Sequence, residues 1–404
     1  MSNSKNRLTA LINNKREVVS RPTEFSSNLV SLLYRGADGC PVAFDVAPSG
    51  DPIHVLATAD PPVHTRHRKL LQPHFNAAAV VRLEPTLRQV VDRQLAPLLA
   101  AGRGDIVASV SDLLPALAIC TIVGLPPDDA SHLIQLVTGM SPLLDGVTDL
   151  DDIAHAATAT LELLEYAQTQ VDAACNRPIS TPLSGLLAVL SDGIDSGLLT
   201  AGEARDILVQ LFSAGTETTG SLIANAVETL ARQDDLQQRL RSDPEAIPAV
   251  LENILRDDAP FQFHYRWTAT DTTLGGVPIP ANSRVLLLWA AANRLSPEVP
   301  GGARQDLDGA GAGNHYAFGR GLHFCIGAPL ARLESRIAIE RLLAQTSRFS
   351  LDPDHPPVRR PSIFLRRHTS LPVILDRMKL GGLRYDTTHA REGALEIPLL
   401  PTNS

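Results

Sequence analysis

From residue 8 to residue 255, apolar positions recur at spacings of three and four, and most prolines fall at the edges of the periodic segments. That pattern predicts a succession of amphipathic helices. Residues 85–95, 114–123 and 152–174 are three of them. Pro85 and Pro115 suit first turns, where a missing amide costs little. Pro126-Pro127 and Pro178 mark breaks. The best-defined helix opens at Thr200-Ala201-Gly202-Glu203. A Thr followed three residues later by Glu has capping-box spacing, so each side chain satisfies an orphan amide. Ile207, Leu208, Leu211, Phe212, Leu222, Ile223 and Leu230 then keep helical period to about Arg232.

After Pro260 the pattern shortens. Segments 264–271, 277–280 and 285–288 read as strands, with a turn at Gly275-Gly276. Residues 297–314 are irregular and rich in Gly. Helix resumes after Cys325 and runs to about Thr346, and 362–366 and 371–375 read as closing strands. The expected architecture is mainly α with a small β portion, one domain over 1–376, then a tail over 377–404 without clear period, expected to be mobile.

Composition narrows the function classes. The chain has 404 residues, 44% of them hydrophobic, with 36 basic against 44 acidic residues and a net charge of −8. That balance argues against a nucleic-acid partner. The four cysteines, Cys40, Cys120, Cys175 and Cys325, form no CxxC pair, which fits reduced thiols better than a disulfide framework or a zinc ribbon. Lys5, Arg7, Lys15 and Arg16 precede no apolar stretch long enough for a signal peptide. The longest apolar run, 285–292, is too short to span a bilayer. A cytoplasmic protein without a membrane span is expected.

The chemistry concentrates in Phe318-Gly319-Arg320-Gly321-Leu322-His323-Phe324-Cys325-Ile326-Gly327. A single cysteine stands at the mouth of a helix, with glycines leaving room beside it. A helix N-terminus lowers a thiol pKa, and the thiolate is the metal-binding form. The amides of Ile326 and Gly327 are expected to face the sulfur. A free structural cysteine is the commoner fate of a lone thiol. A zinc site would use His323 and Cys325 but lacks further ligands at suitable spacing. The run Gly309-Ala310-Gly311-Ala312-Gly313 has no preceding strand and no following helix, so it reads as linker rather than phosphate loop.

The segment 318–327, continued by Leu330-Ala331-Arg332, resembles the haem-binding loop of bacterial soluble cytochromes P450. Glu24-Phe25-Ser26-Ser27-Asn28 and the segments 54–60 and 286–294 resemble a mycobacterial-type subgroup of that family, and similarity extends over most of 15–376. The resemblance implies haem b with Cys325 as the iron ligand. Phe318, Gly319 and Gly327 shape its loop. Ala214-Gly215-Thr216-Glu217-Thr218-Thr219 resembles the family's oxygen-binding groove. There Ala214 and Gly215 leave space for dioxygen, and Glu217 and Thr218 form an acid–alcohol pair that relays protons. His64 and Arg68, four apart on one helical face, Arg266 on a strand, and His323 are the implied propionate ligands.

The chain also departs from the family. Its Glu-x-x-Arg helix reads Leu251-Glu252-Asn253-Ile254-Leu255-Arg256, with Asn253 where Glu belongs and Glu252 about 100° away around the helix. Gly309 falls near the position of the Arg that completes the family's triad. A buried Arg256 without a carboxylate would cost about 3–5 kcal/mol. Asp257, Asp258 or Asp306 is expected to compensate. Residues 8–24 resemble the family's second helix, so the helix and the first sheet strands before it are expected to be absent. The implied activity is monooxygenation of a hydrophobic small molecule with electrons from a ferredoxin and its reductase. Arg66, Lys69 and Arg320 are candidates for the docking face. The alternative is a haem protein that binds a hydrophobic ligand with little or no turnover. Loops 29–53 and 142–151 are expected to line the pocket.

Overall fold

The computed structural model describes residues 8–11, 15–45, 52–145, 150–177, 184–295 and 314–378. Its axis is the helix Ala201–Ala231, 31 residues long. The capping box forms as expected. Thr200 Oγ1 accepts from the Glu203 amide at 3.1 Å, and Glu203 accepts from the Thr200 amide at 2.8 Å. Ile207, Leu208, Phe212 and Ile223 are fully buried, and the helix packs against Leu113–Val123, Leu150–Cys175 and Ala328–Gln345. Leu113–Val123 is buried on every side from Leu114 onward, as a helix apolar all round must be.

Two glycines set the close approaches of the central helix. A Cβ on Gly220 would lie 2.6 Å from the Ser111 carbonyl oxygen, and one on Gly215 would lie 2.5 Å from Ile119 Cδ1. The second contact gives Gly215 a packing role beside the one expected for it. Its missing side chain makes room for the neighbouring helix Leu113–Val123.

The β portion forms small sheets at one side. The largest runs Leu8–Leu11, Arg284–Leu287, His264–Thr268, Phe25–Ser26, with the first pair parallel and the others antiparallel. Leu8–Leu11 is therefore a strand, and the helix in that region is only Lys15–Ser20. The expectation of one helix over 8–24 with the first strands absent is corrected to that extent. Residues 31–45 form a hairpin, Ser31–Arg35 against Pro41–Asp45, where a loop was expected. The expected strand over 362–366 is a turn. Ser362 Oγ accepts from the amides of Phe364 and Leu365 and folds the chain back, so the strands lie either side at Val358–Arg359 and His368–Ser370. The last strand, Pro372–Arg377, pairs with Thr346–Leu351 and with Arg103–Asp105. Gly309, Asp306 and the tail from 379 lie outside the described residues.

Candidate functional site: a thiol, two arginines with two histidines, and a polar helix segment

The cysteine loop is held by its own backbone. Cys325 N–H donates to the Phe318 carbonyl at 3.0 Å, Gly319 N–H to Tyr316, and Phe324 N–H to Gly321. Gly319 and Gly321 adopt φ of 68° and 76°, which a side chain disfavours. The helix Ala328–Gln345 begins immediately after, so Cys325 sits at its N-terminal end. Burial pushes the Cys325 thiol up, and the Gly327 amide, the Arg68 and Arg332 charges and the Ala328 amide offset this only in part. The amides facing the sulfur are thus those of Gly327 and Ala328, one residue later than expected. The thiol is also not acidic on its own account, and a bound cation would be what deprotonates it. A Cβ on Gly327 would stand 3.9 Å from Sγ, so that flank of the sulfur is kept free. Phe318 packs under Arg332, whose guanidinium lies 4.5 Å from its ring centroid.

The four expected propionate ligands converge on this loop. His64, on the helix Val63–Phe75, lies against His323 with ring centroids 4.3 Å apart and ring planes tilted by 52°. Arg68, one turn on, donates to the Phe324 carbonyl at 2.6 Å and so ties that helix to the cysteine loop. Arg266 is buried on its strand, and its Nη1 donates to the Tyr265 carbonyl at 2.7 Å. Burial lowers the Arg266 pKa to about 10, with Asp60 opposing. Burial, then the charges of Arg266, His64, His264 and Arg68, push His323 down to about 3. Among the described residues neither Arg68 nor Arg266 has a carboxylate in ion-pair range, and Nδ1 of both His64 and His323 is buried without a partner. Buried cations and orphan ring nitrogens call for an anion with several oxygens. Two carboxylates on a flat apolar ring, with a metal above the thiol, meet that demand. The residues fit haem.

Sequence reasoning missed the groups that orient these ligands. Ser27 Oγ lies 2.9 Å from His323 Nε2, and the Ser27 amide donates to Asp60 at 2.9 Å. Trp289 Nε1 donates to His264 Nδ1 at 2.7 Å, and burial holds His264 neutral, near 3. These partners are distant in sequence and leave no local pattern.

On the central helix, Ser213, Thr216, Thr218 and Ser221 each donate to the carbonyl four residues back. These back-bonds satisfy the hydroxyls within the helix, which runs unbroken from Ala201 to Ala231, and Thr216 and Ser221 are buried in its packing. Ala214 is exposed and Thr218 half-buried along the helix. Glu217 turns away about 100°. It accepts from Ser141 and lies 3.4 Å from Arg360 and 3.5 Å from Arg367. Neither arginine was singled out from the sequence.

The altered Glu-x-x-Arg segment is rewired. Arg256 is buried and pairs with Asp257 at 2.9 Å. Glu252 forms a fork with Arg332 at 2.6 and 2.9 Å and also meets His315 at 3.0 Å.

A half-buried thiol at a helix mouth, two arginines and two neutral histidines converging on its loop, and the accessible Ala214 and Thr218 on the central helix define a haem-thiolate oxidoreductase. No protein-family model matches the chain. It is nevertheless 39% identical over 333 residues to "Cytochrome P450 144" of Mycobacterium tuberculosis, covering 82% of this chain and 75% of that protein. It is 34% identical to "Cytochrome P450 monooxygenase PikC" of Streptomyces venezuelae over 82% of this chain and 78% of that one. In structure it matches ligand-free CYP164A2 of Mycobacterium smegmatis with a TM-score of 0.79 and 28% identity, covering 93% of each chain. The chain belongs to the cytochrome P450 family, and its cofactor is haem b.

Proposed function

We propose that this cytochrome P450 inserts one oxygen atom from O2 into a hydrophobic small molecule, using electrons from a ferredoxin and its reductase. The supporting observation is the acid–alcohol pair Glu217-Thr218 on the central helix beside the exposed Ala214, which a protein that only binds ligands has no need of. When bound, haem supplies oxygen activation, favoured by electron donation from a thiolate.

The chain's own residues would do the rest. Cys325 holds the metal. Arg68 and Arg266 would neutralise the two propionates, and the neutral rings of His64 and His323 would orient them by hydrogen bonds. Ala214 keeps that side of the helix clear, and Thr218 offers its hydroxyl there. Glu217 is the acid placed to pass a proton toward Thr218. Glu217 and Thr218 diverge around the helix, so a proton passing between them travels by water.

Of the candidate docking cations, Arg66 is paired with Glu203. Lys69 is exposed, and Arg320 lies 5.9 Å from the Tyr316 ring centroid, so these two are the better candidates for the reductant's acidic surface. No helix among the described residues is long and apolar enough to cross a membrane, and Cys40, Cys120, Cys175 and Cys325 are all free thiols, which fits a cytoplasmic setting. Oxygen consumption with a surrogate ferredoxin and reductase, measured against product from a panel of apolar substrates, tests the reading. Tight ligand binding without coupled oxygen uptake by any of them would favour the non-catalytic binder.

A further inference from the structure

Glu217 belongs to a cluster of five charged groups. Arg360 sits between two carboxylates, with Nη1 3.4 Å from Glu217 and Nη2 3.4 Å from Asp145, and Nη2 also donates to Ser141 Oγ at 2.9 Å. Its Nε is buried and has no hydrogen bond. Arg360 is therefore shared: Nε and Nη2 face the two oxygens of Asp145 at 3.4 Å each, while Nη1 reaches Glu217 at the same distance. Arg367 pairs with Asp112 at 2.7 Å and reaches Glu217 at 3.5 Å. Ser362 Oγ donates to Asp145 at 2.6 Å, and the Ile363 amide donates to the Asp145 carbonyl. Gly220 brings the central helix against Ser111 and Asp112 from the other side.

Three carboxyls, Glu217, Asp145 and Asp112, thus share two guanidinium groups in a largely dry site. Asp105 lies near Asp112 but is half-buried and held by the Ser370 hydroxyl and the amides of Val107 and Leu371, so it joins neither guanidinium. One buried carboxylate in excess is costly, and a bound proton removes it. Burial does push both Asp112 and Asp145 up, with Arg367 and Arg360 respectively opposing.

We propose that this cluster stores one proton at neutral pH, and that Asp145 and Arg360 are positioning residues that govern its release through Glu217. The proposal rests on Glu217 being the proton donor of the reaction. Asp145 lies at the end of the short helix Pro142–Asp145, and Arg360 and Arg367 lie on the two arms of the 358–370 hairpin. The stored proton is therefore set by how three separate segments meet. The cluster titrates as a unit, so the excess charge, more than any single group, decides the outcome.

The test is an infrared pH titration of the buried carboxylic-acid band, in protein with and without haem. The titration is run in the Glu334→Gln background, because burial keeps a separate proton on Glu334; one band lost on the alkaline side should then remain, and Glu217→Gln should move its loss to lower pH as removal of any cluster carboxyl does. Asp145→Asn removes the excess carboxylate, so the band should vanish at a pH about one unit lower, a tenfold change in proton affinity. Arg360→Gln should move it at least as far in the opposite direction, and Arg360→Lys, which keeps the charge, should leave it in place. The double variant Asp145→Asn/Arg360→Gln restores an excess of one and should return close to wild type. In the holoenzyme, Asp145→Asn should lower kcat several-fold with KM unchanged and shift the pH profile the same way as the band. Equal shifts in Asp145→Asn and Arg360→Gln, or a double variant no nearer wild type than either single one, would overturn the proposal. Because the titration does not need bound haem, a defect in haem binding appears separately and counts against the reading of function instead.

Discussion

Arg256 pairs with the carboxylate of its own chain neighbour, Asp257, at 2.9 Å. In the family's pattern its partner stands three residues before it, where this chain has Asn253. A guanidinium 4% exposed is thereby kept from being an uncompensated buried charge.

Asp257→Asn should consequently lower the stability of the holoprotein. Asp257 is partly exposed, so solvent screening limits the loss to about 1–2 kcal/mol. Asn253→Glu alone should leave the melting temperature nearly unchanged, because Arg256 is already paired. In the Asp257→Asn background the same substitution should recover much of the loss. Thermal melting of the four proteins checks this.

Glu252 governs an acid transition. Burial pushes its carboxyl up, but hydrogen bonds and charge from Arg332 and His315 outweigh burial and hold it at about 2, against 4.5 normally. A carboxylate depressed by folding contributes stability that is complete above pH 4.5 and lost as pH falls toward 2. The contribution is on the order of 2–3 kcal/mol. Glu252→Gln should be less stable than wild type at pH 7, and the gap should close below about pH 3. Denaturant melts across that window measure it.

Glu334 behaves in the opposite way. It is 1% exposed, Oε2 has no hydrogen bond, and burial raises its pKa well above 4.5. The folded chain keeps this proton while the unfolded chain loses it. Stability is complete below pH 4.5 and declines by about 1.4 kcal/mol per pH unit above it, up to the folded pKa. Glu334→Gln should remove that slope, so its advantage over wild type should be larger at pH 8 than at pH 5. Thermal melts at the two pH values decide it.

Gly215 is a packing residue. Its Cβ would meet Ile119 Cδ1 at 2.5 Å. Gly215→Ala should cost about 1–3 kcal/mol by overpacking, and Ile119→Val should relieve part of that cost. Denaturant unfolding of the single and double variants provides the measurement.

Much of this was legible in the sequence, for physical reasons. Thr200 and Glu203 announce a helix start because capping acts within one turn. Cys325 and its glycines announce a ligand loop because backbone and thiol requirements are local. The partners of Glu217 were not legible. Ser141, Arg360 and Arg367 come from segments 76 to 150 residues away, and nothing near them in the chain signals the meeting. Residues 362–366 look like a strand because Ile363, Phe364 and Leu365 are apolar. The Ser362 hydroxyl, by capping two amides, makes them a turn. The compensation of Arg256 was legible only as a choice among acids, and geometry selected Asp257. The strand at Leu8–Leu11 was hidden because its pairing is with Arg284–Leu287, at the far end of the chain.

The most direct measurement is the absorption spectrum of the reduced, haem-loaded protein under carbon monoxide. If Cys325 ligates the iron as a thiolate and His64, Arg68, Arg266 and His323 seat the propionates, the strongly red-shifted band of thiolate-ligated haem should dominate. A band typical of histidine or neutral-thiol ligation would contradict the account.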